Sequence, residues 1–342
     1  MTTTTPHSTP PPVSPGPSAI FAGGNEAFQR LYNRHSFQFQ HHLSGNPLFE
    51  LPRLARLAEL LGPANVLQFS SDAAFNLKWT GMHVKDHREK ITEAIAQLQK
   101  SGSWLLLYRA QTDPEYRVLM NQIIAEIEAR AGLPLEPQIT WRDAYVFLAS
   151  PFAVTPYHID HESTFLFQIH GQREANIWDR EDRSVLTDPE LESYYYGNLS
   201  AANYQECNQA KARIYSMGAG TGVHHPCLAP HAFKNGATYS IALGVHFCLR
   251  EWDHQARVYQ LNHCLRQLHL HPTPPGRSAW RDRAKVQALG WISKRNPQTK
   301  SELIRSGIKR LTLPIRAVSE LKKRISRQAF TAVISKVARR PI

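Results

Sequence analysis

The amino-acid sequence predicts a mainly β protein with flanking helices. Strand-like patterning dominates from Ala144 to Phe247, where apolar and β-branched residues recur between turn residues. Helical spacing of apolar residues is confined to segments before and after that stretch. At 342 residues, of which 42% are hydrophobic, the chain is long enough to bury a sizeable core.

The chain begins with a segment whose composition predicts disorder. The first 17 residues contain six Pro together with many Thr and Ser. They do not contain a basic stretch followed by an apolar one, so we expect a disordered leader and not a secretory signal. Because no run of eighteen or more apolar residues occurs, we also expect no transmembrane helix.

Residues 18–138 are predicted to form mixed α and β structure. Helical spacing covers residues 51–61 and 86–98, and a third helix is predicted to begin at Asp113 and Pro114 and to end at Gly132. Residues 65–69 and 103–108 have the pattern of strands. We expect these elements to pack on the β core and to extend its sheets, so that residues 18–250 form one domain.

A pair of metal-ligating residues lies inside the β-rich region. His158 and Asp160 are two residues apart, and side chains with that spacing on a strand point to the same face. Such a pair supplies two of the three ligands of a 2-His-1-carboxylate site, which binds non-haem Fe(II) and leaves the opposite positions open. His161 points to the other face, where we expect a solvent-exposed or structural side chain.

Residues 217–235 offer three candidates for the third ligand, namely His224, His225 and His231. The long separation along the chain between these histidines and the His158–Asp160 pair suits an antiparallel sheet, in which a distant strand returns beside the strand that carries the pair. We favour His231, because a polar turn and the β-compatible run 239–247 follow it. His224 and His225 remain alternatives, with turn positions or contacts around the ligands as their expected roles.

A resemblance to a known family spans roughly residues 140–250. It is carried by three stretches, TPYHIDHESTFLFQIHGQREANIWD, GAGTGVHHPCLAPHAFKNG and YSIALGVHF. In these stretches the chain resembles the JmjC or cupin-like Fe(II)- and 2-oxoglutarate-dependent oxygenases, in particular the asparaginyl-hydroxylase branch and its small bacterial relatives. The resemblance implies a catalytic domain with a double-stranded β-helix (jelly roll) core. It also implies hydroxylation of a substrate C–H bond, with release of succinate and CO2.

The same resemblance assigns residues to 2-oxoglutarate. Thr155, three residues before His158, and Thr164, four residues after Asp160, match polar positions that line the family's site. The family usually places a Lys thirteen residues after the Asp, where this chain has Arg173, and often an Asn fifteen residues after the last His, where it has His246. Arg is a competent partner for a carboxylate, although it is longer than Lys and planar. The alternative for Arg173 is a surface position after the turn at Gly171.

Aromatic residues of the region are most simply interpreted as core packing. Phe165, Phe167 and Ile169 alternate with Thr164, Leu166 and Gln168, which is the period of a strand with one face in a core. The same interpretation applies to Trp178 and to the three tyrosines 194–196. Because none of these aromatic residues points to a particular substrate, three classes of substrate remain open, namely a protein side chain, a peptide and a small metabolite.

Basic charge is concentrated at the C-terminal end. Residues 256–342 hold 20 Lys and Arg against 3 acidic residues, whereas the remainder of the chain has a formal charge of −5. Apolar residues recur at helical spacing between Val318 and Val333, with basic residues between them. Such a helix suits an anionic membrane surface, weak sequence-blind contact with nucleic acid, a partner helix, or simply a solvated basic face. The helical C-terminal region covers residues 251–342. The family resemblance implies a homodimer through C-terminal helices, for which residues 251–270 are the candidate interface.

Two further functions compete with the oxygenase. One is a metal-binding cupin whose chemistry does not use 2-oxoglutarate, and the other is a non-enzymatic sensor that contacts nucleic acid through the basic tail.

The chain has few cysteines, and none of them has CxxC spacing, namely Cys207, Cys227, Cys248 and Cys264. They predict reduced thiols in the cytoplasm, and neither a zinc knuckle nor a disulfide framework.

Overall fold

A computed structural model describes residues 19–70, 73–78 and 91–290, with the side chains of residues 289 and 290 left out. The predicted leader, the start of the predicted helix 86–98 and the basic helix between Val318 and Val333 lie outside these residues. All four cysteines lie inside them, and none of the four is paired in a disulfide. No helix of the described part is long and apolar enough to cross a membrane.

The described residues form twelve strands and seven α-helices. The strands are β1 Phe21–Ala22, β2 Phe37–His41, β3 Val66–Ser70, β4 Ser103–Leu107, β5 Ile139–Ala149, β6 Val154–His158, β7 Ser163–His170, β8 Arg173–Ile177, β9 Arg213–Met217, β10 Thr221–His225, β11 His231–Asn235 and β12 Ser240–Leu249. The helices are α1 Glu26–Leu31, α2 Leu51–Leu61, α3 Ile91–Ala96, α4 Pro114–Ala131, α5 Asp188–Tyr195, α6 Arg250–Gln267 and α7 Ala279–Gly290.

Strands β5 to β12 form a jelly roll of two facing antiparallel sheets. The larger sheet contains β10, β7, β12 and β5 as neighbours, and the smaller sheet has the order β6, β11, β8, β9. Along the chain these strands pass repeatedly from one sheet to the other, which is the path of a double-stranded β-helix. The predicted fold class is therefore confirmed.

The N-terminal strands widen the larger sheet at both edges. β1 and β2 pair beyond β10, and β4 and β3 pair beyond β5, so that this sheet has eight strands. Both faces of the central strand β7 are consequently buried, not the single face that its alternation predicts. Phe165 and Phe167 pack with Phe21 under the N-terminal layer, whereas Leu166 belongs to the apolar cluster between the two sheets.

Local signals account for the best-predicted helix. The Asp113 side chain accepts a hydrogen bond from the Glu115 N–H at 3.0 Å, and Pro114 occupies the first turn, where a missing N–H costs nothing. Gly132 ends α4 with φ of 67°, a left-handed conformation that favours glycine. The predictions for α2, β3 and β4 are confirmed within one residue at each end.

The C-terminal helix α6 packs on the same chain. Its buried residues include Trp252, Ala256 and Tyr259, and the Tyr259 ring stacks on Tyr195 of α5 at 5.6 Å between centroids. Arg266 of α6 forms two hydrogen bonds with the carboxylate of Glu192 in α5, at 2.7 and 2.9 Å. A homodimer through this segment stays a prediction.

Two buried histidines are expected to make the fold acid-sensitive. Burial lowers the pKa of His41 to about 4 and that of His224 to about 3. Because the unfolded chain takes up protons near pH 6.5 while the folded chain does not, stability is lost as the pH falls below about 7. At pH 5 we expect each residue to cost about 2 kcal/mol of unfolding free energy relative to pH 8. Urea titrations at the two pH values measure this, and His41→Gln should reduce the difference by about 2 kcal/mol.

Candidate metal centre

Strand pairing brings the predicted metal ligands together. β6 and β11 are antiparallel neighbours in the smaller sheet, and His158 lies directly opposite His231. Asp160 follows β6, and its Oδ2 lies 3.3 Å from His158 Nε2 and 3.7 Å from His231 Nε2. Two ligands at right angles around an ion, each at about 2.1 Å, are about 3 Å apart, so the three atoms fit one metal ion after a small contraction.

Backbone carbonyls orient both imidazoles. The Nδ1 atom of His158 lies 2.7 Å from the Pro156 carbonyl oxygen, and that of His231 lies 2.9 Å from the Ala229 carbonyl oxygen. A carbonyl only accepts, so each Nδ1 carries the proton and donates it. Each Nε2 therefore turns an unshared electron pair towards Asp160. This is the arrangement in which a neighbouring acceptor selects the tautomer of a ligating histidine.

Electrostatics keep His231 ready for a cation. Burial, with a smaller contribution from His158, lowers the pKa of His231 to about 3. The imidazole is therefore neutral at every pH near neutrality, which is the form that binds a metal ion. No proton has to leave this side chain when an ion arrives.

A strained turn holds the two halves of the site together. The backbone N–H of Leu228 donates to the Asp160 carbonyl oxygen at 2.8 Å, linking the β10–β11 connection to the loop after β6. Leu228 has φ of 64° and is 4% exposed, although a bulky residue rarely adopts this left-handed conformation. Strain of this kind persists where the surrounding structure imposes it, and it is common at functional sites.

The three ligands face a cavity of about 540 Å³ inside the roll. Its wall is rich in aromatic side chains, contributed by Trp104, Tyr108, Tyr145, Phe147, Tyr194 and Phe233. All four residues predicted to bind 2-oxoglutarate also line it, namely Thr155, Thr164, Arg173 and His246. The structure thus places the seven predicted site residues around one space.

Arg173 begins β8 and is a buried cation. Its Nε donates to Asn235 Oδ1 and its Nη2 to Ser240 Oγ, both at 3.0 Å, and only 4% of the residue is exposed. No carboxylate of the described residues forms an ion pair with it. Burial lowers the pKa of its guanidinium to about 10, so the charge persists at neutral pH. The surface alternative for Arg173 is therefore wrong, and the cavity contains a positive charge without a protein counterion in the described part of the chain.

Thr164 and His246 lie side by side on the neighbouring strands β7 and β12. Thr164 Oγ1 is 3.1 Å from His246 Nδ1, and the His246 ring lies 4.2 Å from the Tyr145 ring, centroid to centroid. Thr155 is buried on β6, opposite Phe233 of β11. These contacts position all three residues on the cavity wall without any ligand.

Gly244 is expected to be essential for the placement of His246. A Cβ on Gly244 would lie 2.3 Å from His246 Nε2 and 2.9 Å from Phe147 Cε2. We expect Gly244→Ala to displace the imidazole and to lower the unfolding free energy by about 1–3 kcal/mol, as overpacking does. Urea unfolding measures the loss. Gly218→Ala is the control, because no atom lies within 4 Å of its added Cβ, and an equal loss in both variants would contradict the steric explanation.

His225 has the second of its two expected roles, a contact around the ligands. It lies on β10, not in a turn, and its ring is 4.1 Å from the His231 ring. It is 2% exposed, and its Nδ1 has no hydrogen-bond partner among the described residues. The neighbouring His224 faces the other way and stacks on Phe165 at 4.4 Å. Because side chains alternate along a strand, His224 and His225 face opposite sides of β10. The sequence predicts this only if β10 is known to extend to His225.

The remaining predictions divide between core and cavity. His161 is structural and fully buried, not solvent-exposed. Trp178, Tyr194 and Tyr195 are buried in the core, as expected, and Tyr194 lines the cavity as well. The aromatic wall from β4 and β5 had no sequence signal, because strand pairing and not residue spacing brings those side chains to the cavity.

Comparison with known proteins adds a distant likeness of fold. No family model matches the chain, and no curated protein sequence matches it. An X-ray structure of ycfD from E. coli is 12% identical, with a TM-score of 0.46 over 83% of this chain and 70% of that one. A structure of YcfD, a ribosomal oxygenase from Escherichia coli, in complex with cobalt and 2-oxoglutarate, is 13% identical, with a TM-score of 0.43 over 79% and 66%.

A third structure, the DMSP lyase DddQ from Ruegeria pomeroyi DSS-3, is 18% identical, with a TM-score of 0.21 over 32% of this chain and 39% of that one. At these TM-scores the likenesses carry no argument about chemistry. The strand order identifies the fold, and only the geometry of the site bears on its chemistry.

Proposed function

We propose that the chain is an Fe(II)- and 2-oxoglutarate-dependent oxygenase that hydroxylates a C–H bond. One observation supports this above all others, namely that a 2-His-1-carboxylate cluster shares one cavity with a buried cation that has no carboxylate partner among the described residues. The cluster suits a divalent ion with open positions, and the cation suits a carboxylate that reaches that ion from the other end. 2-Oxoglutarate has a keto acid at one end, which can chelate the ion, and a carboxylate at the other end, which can pair with the cation.

The donor set fits Fe(II). Two neutral imidazoles and one carboxylate neutralise one of its two charges, which leaves the site attractive to an anionic chelate. His158, Asp160 and His231 would hold the ion. When bound, Fe(II) and 2-oxoglutarate together supply the activation of O2, with release of succinate and CO2.

Arg173 would bind the distal carboxylate of 2-oxoglutarate. On β8 it lies four residues from Ile177, the residue opposite His231, and four residues of strand span about 13 Å. Its Nε and Nη2 are held by Asn235 and Ser240, so the guanidinium plane is fixed before a ligand arrives. A fixed guanidinium loses little entropy on binding and pairs with both oxygens of a carboxylate.

The cavity wall would exclude water and orient the ligand. Aromatic side chains such as Trp104 and Phe147 lower the local dielectric constant, which strengthens the pairing between Arg173 and an anion. Thr155, Thr164, His225 and His246 place polar groups on the same wall and would donate to or accept from the chelate. The substrate would enter from the remaining open side of the cavity.

Anaerobic absorption spectra test the proposal. Addition of Fe(II) and 2-oxoglutarate to the wild-type protein should produce the weak visible charge-transfer band of the chelate. Asp160→Ala should lose the band, because a ligand is missing. Asp179→Ala should keep it, because Asp179 is a half-exposed surface carboxylate that pairs with His35. Metal binding without a band in the wild type would overturn the proposal and favour a cupin that does not use 2-oxoglutarate.

A further inference from the structure

A second group of metal-ligating side chains lies in the core, and none of its members lines the cavity. His161 follows β6, Cys248 is near the end of β12, and Asp253 is in the first turn of α6. They are 0%, 0% and 3% exposed, respectively. His161 Nε2 lies 3.0 Å from Asp253 Oδ1 and 3.0 Å from Cys248 Sγ, and the Sγ lies 3.3 Å from the same Oδ1.

We propose that His161, Cys248 and Asp253 bind one divalent metal ion, for which zinc has the best-matched chemistry. A thiolate, an imidazole and a carboxylate are the three kinds of ligand that zinc takes in proteins. Their charges also balance, since a thiolate and a carboxylate together neutralise a divalent ion. Neutrality matters because the three side chains are removed from water, where an uncompensated charge is costly.

The distances fit this assignment with a small expansion. Ligand atoms at about 2.0–2.3 Å from a tetrahedral zinc ion lie about 3.3–3.6 Å from one another. The triangle of 3.0, 3.0 and 3.3 Å is smaller by a few tenths of an ångström. The Leu249 carbonyl oxygen lies beside it, 3.6 Å from Cys248 Sγ, and is a candidate for the fourth position.

His161 is also oriented as a ligating histidine is. Its Nδ1 lies 2.6 Å from the hydroxyl of Tyr195 in α5, which fixes the ring and turns Nε2 towards Cys248 and Asp253. Burial and the Asp253 carboxylate raise the pKa of the Cys248 thiol well above its usual value. Without a metal ion the thiol is therefore not a nucleophile, and catalysis by Cys248 does not explain the cluster.

The competing explanation is a hydrogen-bonded triad without a metal ion. In that case the imidazole N–H donates to Asp253 Oδ1, and the thiol S–H donates to the same oxygen or to the Leu249 carbonyl oxygen. A metal ion would replace both protons, and a Co(II) titration distinguishes the two arrangements.

A bound ion would join the first centre to the C-terminal helix. His161 is the next residue after Asp160, and Asp253 belongs to α6, so the ion would tie the loop that carries Asp160 to that helix. Tyr195 brings α5 into the same unit. The second site would thus be structural, and it requires neither 2-oxoglutarate nor turnover.

Titration of the metal-free, full-length protein with Co(II) tests the inference. Cobalt bound to a thiolate gives a near-ultraviolet charge-transfer band, and the His158, Asp160 and His231 site contains no thiolate to produce one. We expect two equivalents of Co(II) to bind and one of them to produce the band. His231→Gln should lose one equivalent and keep the band, whereas Cys248→Ser should lose the band and keep the other equivalent.

Two controls use the other cysteines. Cys227→Ser should keep the band, because its Sγ lies 4.0 Å from Nδ1 of His161, on the side of the ring away from the site. If Cys248→Ser does not fold, the double variant Cys207→Ser and Cys264→Ser retains only the two buried thiols and should keep the band. Absence of the band in the wild type, or its loss in that double variant, would overturn the assignment and leave the hydrogen-bonded triad.

Discussion

Replacement of His231 with Gln is expected to abolish Fe(II) binding by the cavity site and to lower the rate of 2-oxoglutarate turnover by roughly a thousandfold or more. The Nε2 atom of His231 lies 3.7 Å from Asp160 Oδ2, so its loss leaves two of the three ligands. Two ligands hold a labile divalent ion much more weakly than three. Anaerobic metal titration gives the binding constant, and succinate formation gives the turnover.

His224→Gln is the matched control for that variant. His224 is also a buried, neutral imidazole near the site, but its Nδ1 contacts the Thr164 carbonyl oxygen at 2.9 Å and its ring packs on Phe165. We expect this variant to lose stability and to keep the Fe(II) stoichiometry. Loss of the ion in His224→Gln, with retention in His231→Gln, would show that the third ligand has been misassigned.

The ligands were predictable because they depend on short-range geometry. The spacing of His158 and Asp160 predicts that both face one side of a strand. In the structure β6 ends at His158, and Asp160, two residues on, still places its carboxylate 3.3 Å from His158 Nε2. The third ligand required one further step, a distant strand returning beside β6. His231 qualified because a β-compatible run follows it, and the register of β11 on β6 places it directly opposite His158.

The cavity wall was not predictable in the same way. Trp104 and Tyr145 line the same cavity as the ligands because β5 and β4 pair beyond β12 in the larger sheet. Long-range strand pairing determines this placement, and the local sequence pattern does not record it. His225 illustrates the same limit at one residue. It faces the cavity and His224 faces the aromatic core because side chains alternate along β10, which includes both residues. Strand ends are the least certain part of any sequence-based assignment.

The second cluster of metal-ligating side chains could not be predicted from residue spacing. His161, Cys248 and Asp253 are separated by 87 and 5 residues, and no metal-binding motif links them. Their meeting depends on the turn from β12 into α6, which begins at Arg250 immediately after the strand ends. A histidine expected to be solvent-exposed or structural therefore becomes the centre of a buried polar cluster.

Replacement of Arg173 with Met is expected to raise the 2-oxoglutarate concentration needed for half-saturation by on the order of 10² to 10³. The guanidinium is buried and charged, and loss of one partner from a buried, hydrogen-bonded charge pair costs about 2–5 kcal/mol. Fe(II) binding should be unchanged, because the three metal ligands are intact. Titration of the charge-transfer band with 2-oxoglutarate at saturating Fe(II) measures the effect.

The same variant should separate binding from stability. Because no carboxylate in the described part of the chain pairs with Arg173, the unliganded protein bears the cost of a buried charge that Met removes. We expect the Tm of unliganded Arg173→Met to equal or exceed that of the wild type, while the rise in Tm caused by 2-oxoglutarate disappears. Arg53→Met should instead lower the Tm of the unliganded protein and keep the rise in Tm caused by 2-oxoglutarate, because Arg53 pairs with Asp113 at 2.6 Å outside the cavity. If Arg173→Met kept its affinity for 2-oxoglutarate, the buried cation would serve another anion, and the anchor for the cosubstrate would have to lie elsewhere on the wall.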